Sequence, residues 1–341
     1  MEPGELRPRN LGGWRVRTLS GGEGVEAYTF PDPPGAEGRE VDPTHVFPVA
    51  ERPVRWGEAV APDLGRAVYT TSDGALVCVD RAGTELWRFA LGATGPAVCD
   101  FSLDAALVWL CRLAETASDL ATDQWVVLDA ATGAVLASAD LGTRGVCATH
   151  FAHPAGAEMV LDVGYPEMSG RLFRGRPDGG RIVVDEVPLG AGAGMTGDAM
   201  VDLSPDGTRF LTMDQELTVR SYPDGEVVAT VTGEDLGDPE ADPGGERSVS
   251  LTPMPGGYLD AGTAIVAAHV DYDEEPEDED TDPDEGPPYE WYETHLVDTR
   301  TGAVLGRFGE PAADAPALIP LGDGSWVVLD DERGRWVRHG R

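Results

Sequence analysis

No lysine occurs in the 341 residues, asparagine appears only as Asn10, and isoleucine only as Ile182, Ile265 and Ile319. Alanine, glycine, arginine, aspartate and valine replace them. That is the usage of a very GC-rich genome; salt adaptation, which also favours acid over lysine, is the rival reading. Positive charge is scarce altogether, with 25 basic residues against 61 acidic ones and a formal net charge of −36. A direct grip on nucleic acid, which needs cations to displace counterions, is therefore not expected. The same balance argues against anionic membrane surfaces and favours divalent cations or a basic protein partner. Long apolar runs are missing too: MEPGELRPRN lacks a secretory h-region and no window reaches 18 apolar residues, so the expectation is a soluble, cytoplasmic protein. Cys78, Cys99, Cys111 and Cys147 stand singly, without a C-x-x-C pair, and read as buried free thiols.

What the chain does have is a repeat. Residues 66–92 hold three short apolar runs separated by Ser72-Asp73-Gly74 and Arg81-Ala82-Gly83, turn chemistries that make a three-stranded antiparallel meander. The last turn and strand recur at 125–142, 171–190, 217–233 and 295–309. The turn glycines Gly83, Gly133, Gly179, Gly225 and Gly302 follow at intervals of 50, 46, 46 and 77 residues, the long interval containing an acidic run. A second marker precedes each meander: Pro62-Asp63-Leu64-Gly65, Pro154-Ala155-Gly156, Pro205-Asp206-Gly207, Pro255-Gly256 and Gly322-Asp323-Gly324, with Ser102-Leu103-Asp104 a degenerate copy. Four strands per repeat of this length predict an all-β, single β-propeller.

The phrases LVCVDRAGTELWRF, WVVLDAATGAVLASADL and HLVDTRTGAVLGRF resemble the quinoprotein-type (PQQ-like) repeat, and VDLSPDGTRFLTM resembles the opening of a WD-repeat or TolB-type blade. The resemblance covers about residues 60–341 and implies architecture, since these folds carry many unrelated activities. Residues 1–12 are expected to be a tail and 13–341 the propeller, with six or seven blades. The final repeat stops one strand short, and Trp14 to Leu19 is the expected closing strand that leaves no open edge.

Candidate chemistry is sparse. The run Asp271 to Glu293 carries 13 carboxylates and no base, so an acidic, disordered insertion at 271–290 is expected. Asp273, Glu274, Glu275, Glu277, Asp278, Glu279, Asp280, Asp282, Asp284 and Trp291 are its candidate partner-binding residues. Asp280, Asp282 and Asp284 have the alternation of a calcium loop, but Glu285 stands where that loop needs glycine. Gly192 to Gly197 matches G-x-G-x-x-G, yet a strand pattern rather than a helix comes after it. His150 and His153, three apart on a strand, face opposite ways and do not share an ion. Trp56, Trp87, Trp109, Trp125, Trp291, Trp326 and Trp336 read as inter-blade packing. No catalytic constellation, metal set or cofactor motif emerges. The expectation is a non-catalytic, protein-interaction platform. The alternative is a cation-dependent, lactonase-like hydrolase or lyase with Asp100, Asp162, Asp202 and Asp260 gathered at a central funnel.

Overall fold

The computed structural model describes residues 17–21, 24–30, 38–54, 57–92, 97–114, 120–156, 158–164, 170–189, 199–237, 247–272, 290–310, 312–313, 317–330 and 335–341. The chain opens with β1 (Arg17–Gly21), β2 (Gly24–Tyr28), β3 (Arg39–Val41) and β4 (His45–Pro48). The second group is β5 (Glu58–Val60), β6 (Arg66–Thr70), β7 (Ala75–Asp80) and β8 (Glu85–Ala90); the third is β9 (Val98–Phe101), β10 (Leu107–Arg112), β11 (Gln124–Asp129) and β12 (Val135–Asp140). The fourth is β13 (Cys147–Ala152), β14 (Met159–Gly164), β15 (Arg171–Asp178) and β16 (Arg181–Glu186). Next come β17 (Ala199–Leu203), β18 (Arg209–Met213), β19 (Leu217–Ser221), β20 (Val227–Val231) and a one-turn helix α1 (Gly233–Leu236). The sixth group is β21 (Arg247–Asp260), β22 (Thr263–Tyr272), β23 (Glu290–Asp298) and β24 (Val304–Arg307), and the last is β25 (Leu318–Pro320), β26 (Ser325–Asp330) and β27 (Arg335–Gly340).

These strands form seven antiparallel sheets. Their first strands pack side by side in chain order, β1 on β5, β5 on β9, β9 on β13, and β17 on β21 and β21 on β25. Apolar side chains fill the gaps between neighbours. Leu76 and Cys78 meet Cys99 and Leu110 between the second and third sheets, and Val160 meets Phe210 between the fourth and fifth. Leu259 meets Leu318 between the sixth and seventh, and Tyr28 and Phe30 of the first meet Ile319 and Trp336 of the last. The ring is closed. The fold is a seven-bladed β-propeller.

Closure differs from expectation in detail. Trp14 to Val16 lie outside the described residues, and Arg17 to Leu19 belong to β1, which pairs with β2 in the first blade. The strand that completes the last blade is β3, with Trp336 opposite Val41 and Arg338 opposite Arg39. A hairpin closed over the few residues from Gly21 to Gly24 costs far less loop entropy than pairing β1 with the chain's other end. The excursion to β3 is pinned at its base, where the Thr44 N–H donates to the Ala27 carbonyl at 2.7 Å and the Thr29 N–H to Thr44 Oγ1 at 3.0 Å. The first blade accordingly has three strands, β1-β2-β4, among the described residues.

The five turn glycines sit at the expected turns, each at positive φ between 56° and 80°. Several also mark a close approach between blades. A Cβ on Gly133 would lie 2.7 Å from the Trp87 indole, whose Nε1 donates to the Ala130 carbonyl at 3.0 Å. Trp125, fully buried, lies against Gly175 of the next blade and donates to His150 Nε2 at 3.0 Å. Trp87, Trp125 and Trp326, which meets Phe308 at 4.7 Å, are thus inter-blade contacts; Trp56 lies outside the described residues. Two turns differ from the pattern: Leu64, not Gly65, takes the left-handed position (φ 55°), and Ala105 does so in the degenerate copy (φ 58°).

Pro255-Gly256 is not a turn. β21 runs through it, with a register break between Thr252 and Gly257, and the chain reverses at Asp260 to Thr263 instead. Proline in a sheet is accommodated where a bulge interrupts the ladder.

Candidate functional site: the projecting sheet of the sixth blade

Antiparallel alternation places the connections after first and third strands on one face of the ring, and those after second and fourth strands on the other. Apart from residues 49–57, which lead from the three-stranded first blade to the second, those on the first face span two to six residues; on the second they span three to seventeen. The longest, 273–289, leaves from the sixth blade. There β22 has ten residues against five in β18 and six in β26, the second strands of the two neighbouring blades, so it is longer by four or five residues, about 14–17 Å at ~3.4 Å per residue.

The extension is three-stranded: Ser248 pairs with Asp271 and Asp271 with Glu290; Val249 with Val270 and Val270 with Trp291; Ser250 with His269 and His269 with Tyr292. Side chains alternate between its faces. One face presents Val249, Leu251, Ala268 and the buried Val270 and is covered in part by α1, whose Leu236 clusters with Val249, Leu251 and Ala268. α1 is held at its start by a capping box, with Thr232 Oγ1 accepting from the Asp235 N–H while the Asp235 carboxylate accepts from the Thr232 N–H.

Trp291 and Glu293 lie on that covered face. Trp291, half-buried, donates from Nε1 to Glu293 Oε1 at 2.8 Å, and the Arg307 guanidinium lies 2.9 Å from the same oxygen. His295 Nε2 is 3.3 Å from Glu293 Oε2. Burial alone would push the Glu293 carboxyl up, but these donors and the arginine charge outweigh it and hold it down at about 2.

The other face is polar and partly open: Ser248, Ser250, His269, Asp271, Glu290 and Tyr292. The His269 ring lies between two acids, Nε2 at 3.3 Å from Glu290 and Nδ1 at 4.0 Å from Asp271, and 5.0 Å from the Tyr292 ring. Tyr292 also bridges to Ala312 through its backbone. Of the residues singled out from sequence, Trp291 is thereby placed. Asp273, Glu274, Glu275, Glu277, Asp278, Glu279, Asp280, Asp282 and Asp284 lie outside the described residues, as does Gly192 to Gly197. The glycine run leads into strand β17, not a helix.

The four funnel aspartates are not brought together. Asp162 is on the second strand of its blade, and its Oδ2 accepts from the Met200 N–H of the next blade at 3.0 Å. Asp202 accepts from the Tyr258 N–H of the next blade at 2.8 Å and from the Leu203 N–H at 2.9 Å. Asp100, at the equivalent place two blades earlier, accepts from the Phe101 N–H at 2.7 Å. Asp260 caps its own turn through the Gly262 N–H and pairs with Arg341. Asp123, which the sequence reading misses, is fully buried and takes the N–H groups of Ala114 and Gly145. These carboxylates satisfy backbone donors within and between blades, and no group of three His, Cys, Asp or Glu side chains arranged to hold a metal occurs among the described residues.

His150 and His153 go separate ways, the first to Trp125, the second stacked on Tyr222 with Nε2 3.1 Å from the Gly207 carbonyl. Cys78, Cys99 and Cys111 are buried, but Cys147 is exposed because β13 alternates and the residue faces outward.

No protein family and no curated protein matches the sequence. Among solved structures, the chain is similar to Kuenenia stuttgartiensis hydrazine synthase at 14% identity, over 83% of this chain and 75% of that one, with a TM-score of 0.53. It is one of 1057 matching chains, a breadth that belongs to an architecture and not to an activity. The likeness shows the fold alone. No helix among the described residues is long and apolar enough to cross a membrane.

Proposed function

We propose that the protein is a non-catalytic propeller that serves in the cytoplasm as a platform for another protein, its acidic segment meeting a basic partner. The observation that carries this reading is the asymmetry of the ring. Tight hairpins make one face, while the other carries the longer connections and a blade that reaches beyond the rest. Loops held on a rigid scaffold are where binding surfaces are built. The run of 13 carboxylates between Asp271 and Glu293 belongs to the extended blade. A dense anionic segment accelerates encounter with a cationic surface. The engagement of Asp100, Asp162, Asp202 and Asp260 with backbone donors leaves the hydrolase alternative without a supporting observation.

The test is affinity capture from the native cytoplasm with the full chain and with a chain lacking residues 273–286. A protein retained by the first and lost by the second supports the reading; retention of nothing by either form contradicts it.

A further inference from the structure

We infer, independently of the platform reading, that the joint between the third and fourth blades is acid-sensitive: it closes on a neutral His150 and loosens when that imidazole takes up a proton. An indole N–H donates and does not accept, so the 3.0 Å contact from Trp125 Nε1 to His150 Nε2 requires a lone pair on the histidine nitrogen. Nε2 is therefore unprotonated, and the single proton of the ring is on Nδ1. An imidazolium carries a proton on both nitrogens and has no acceptor to offer.

The bond lies inside the joint. His150 is 4% exposed and Trp125 is fully buried. The indole reaches from β11 into the fourth blade, where it fits because residue 175 is glycine; a Cβ there would lie 2.5 Å from the ring. Trp109 backs it, with ring centroids 4.9 Å apart. Val98 and Val127 of the third blade and Ala148, Leu161 and Phe173 of the fourth make the surroundings apolar. Strand alternation identifies the ionisable groups on the same faces. Asp100 is two positions after Val98 on β9, Asp123 two before Trp125, and Cys111 stands opposite Trp125 on β10. On the fourth blade, Glu186 stands opposite Phe173 and pairs with Arg171, so those two charges offset one another. Carboxylates favour a cation, but Asp100 accepts from the Phe101 N–H and Asp123 from the Ala114 and Gly145 N–H groups, which disperse their charge. Burial pushes the Cys111 thiol up, so it stays neutral. Protonating His150 places a charge in this buried setting and breaks the Trp125 bond, two costs of the same sign.

In the unfolded chain an imidazole titrates near its ordinary value of about 6.5. Below that value the unfolded state binds a proton that the closed joint does not, so stability is lost as pH falls. Wild type and His150→Gln are to be unfolded in urea at pH 8 and pH 5; glutamine keeps an oxygen for the Trp125 N–H and has nothing to titrate, and all other histidines are shared. From pH 8 to pH 5 the wild-type unfolding constant is expected to rise about thirtyfold relative to that of the variant, at tenfold per pH unit below about 6.5. A relative rise below about threefold overturns the inference. Hydrogen exchange at pH 5 places the effect: 124–129 and 147–152 are expected to exchange faster in the wild type than in the variant, with 209–213 alike in both. A uniform change over all these strands is a loss of stability without a joint and overturns the inference. Nitrogen-15 NMR of the histidine-labelled wild type at pH 7.5 needs no variant to fold. The ring nearest the Trp125 indole proton is expected to be protonated at Nδ1 alone; a proton on its Nε2 overturns the inference.

Discussion

Asp162 is the buried carboxylate at which the role of the inner aspartates is most open to test. Burial raises its pKa from 3.8 to about 7, and the Met200 N–H pulls it only partly back. A group whose folded-state value lies above its unfolded value stabilises the fold through its protonated form. That stability is present at low pH and is lost as pH rises from about 4 to about 7. Three pKa units at ~1.4 kcal/mol each put the cost of ionised Asp162 at up to about 4 kcal/mol at pH 8. Asp162→Asn retains an acceptor for the Met200 N–H and has nothing to ionise. Relative to the wild type, the variant should therefore gain about 3 kcal/mol between pH 5 and pH 8. Urea unfolding of both chains at the two values measures it, and the comparison cancels carboxylates the chains share. An identical difference at both values would mean that Asp162 is ionised and solvated in the fold, and the reading of a buried inter-blade brace would be wrong.

Gly133→Ala should cost about 2–4 kcal/mol, from left-handed strain together with a Cβ 2.7 Å from Trp87, whereas Gly179→Ala, with nothing within 4 Å, should cost only about 1 kcal/mol; equal losses in denaturant midpoint would show that the close approach carries no energy. With native protein, a disulfide reagent should modify one thiol, Cys147, and reach Cys78, Cys99 and Cys111 only after unfolding; burial pushes the Cys78 thiol up to about 12. Modification of a second thiol in the native state would contradict the buried assignment. Glu293 has its pKa depressed to about 2, so its contribution is present above about 4.5 and is lost as pH falls towards 2. Glu293→Gln should flatten the acid limb of stability in that window, and an unchanged limb would mean that the Arg307 and Trp291 contacts do not hold in solution.

The repeat is legible in the sequence because its markers are local. Gly83, Gly133, Gly179, Gly225 and Gly302 each need a backbone that side chains resist, so glycine recurs at the period of the blade. Ala105 and Leu64 show the limit, occupying the left-handed position without the residue that announces it. β3 leaves no signal, since Arg39-Glu40-Val41 is three residues long and its partner lies almost 300 positions away. The extension of the sixth blade is hidden by Pro253 and by Pro255-Gly256, which read as a turn and are a break within one strand. Asp100 and Asp202 are legible as inner-strand acids, but their role is not. The group that Asp202 holds, the Tyr258 N–H, is 56 positions away and depends on how blades abut.

Docking of a partner on the extended sixth blade is tested most directly by hydrogen exchange on the full chain, alone and with the protein recovered by capture. Slowed exchange at 247–252, 267–272 and 290–294 is predicted on binding. Protection confined to the tight-hairpin face, at turns such as 61–65 and 204–208, would contradict it.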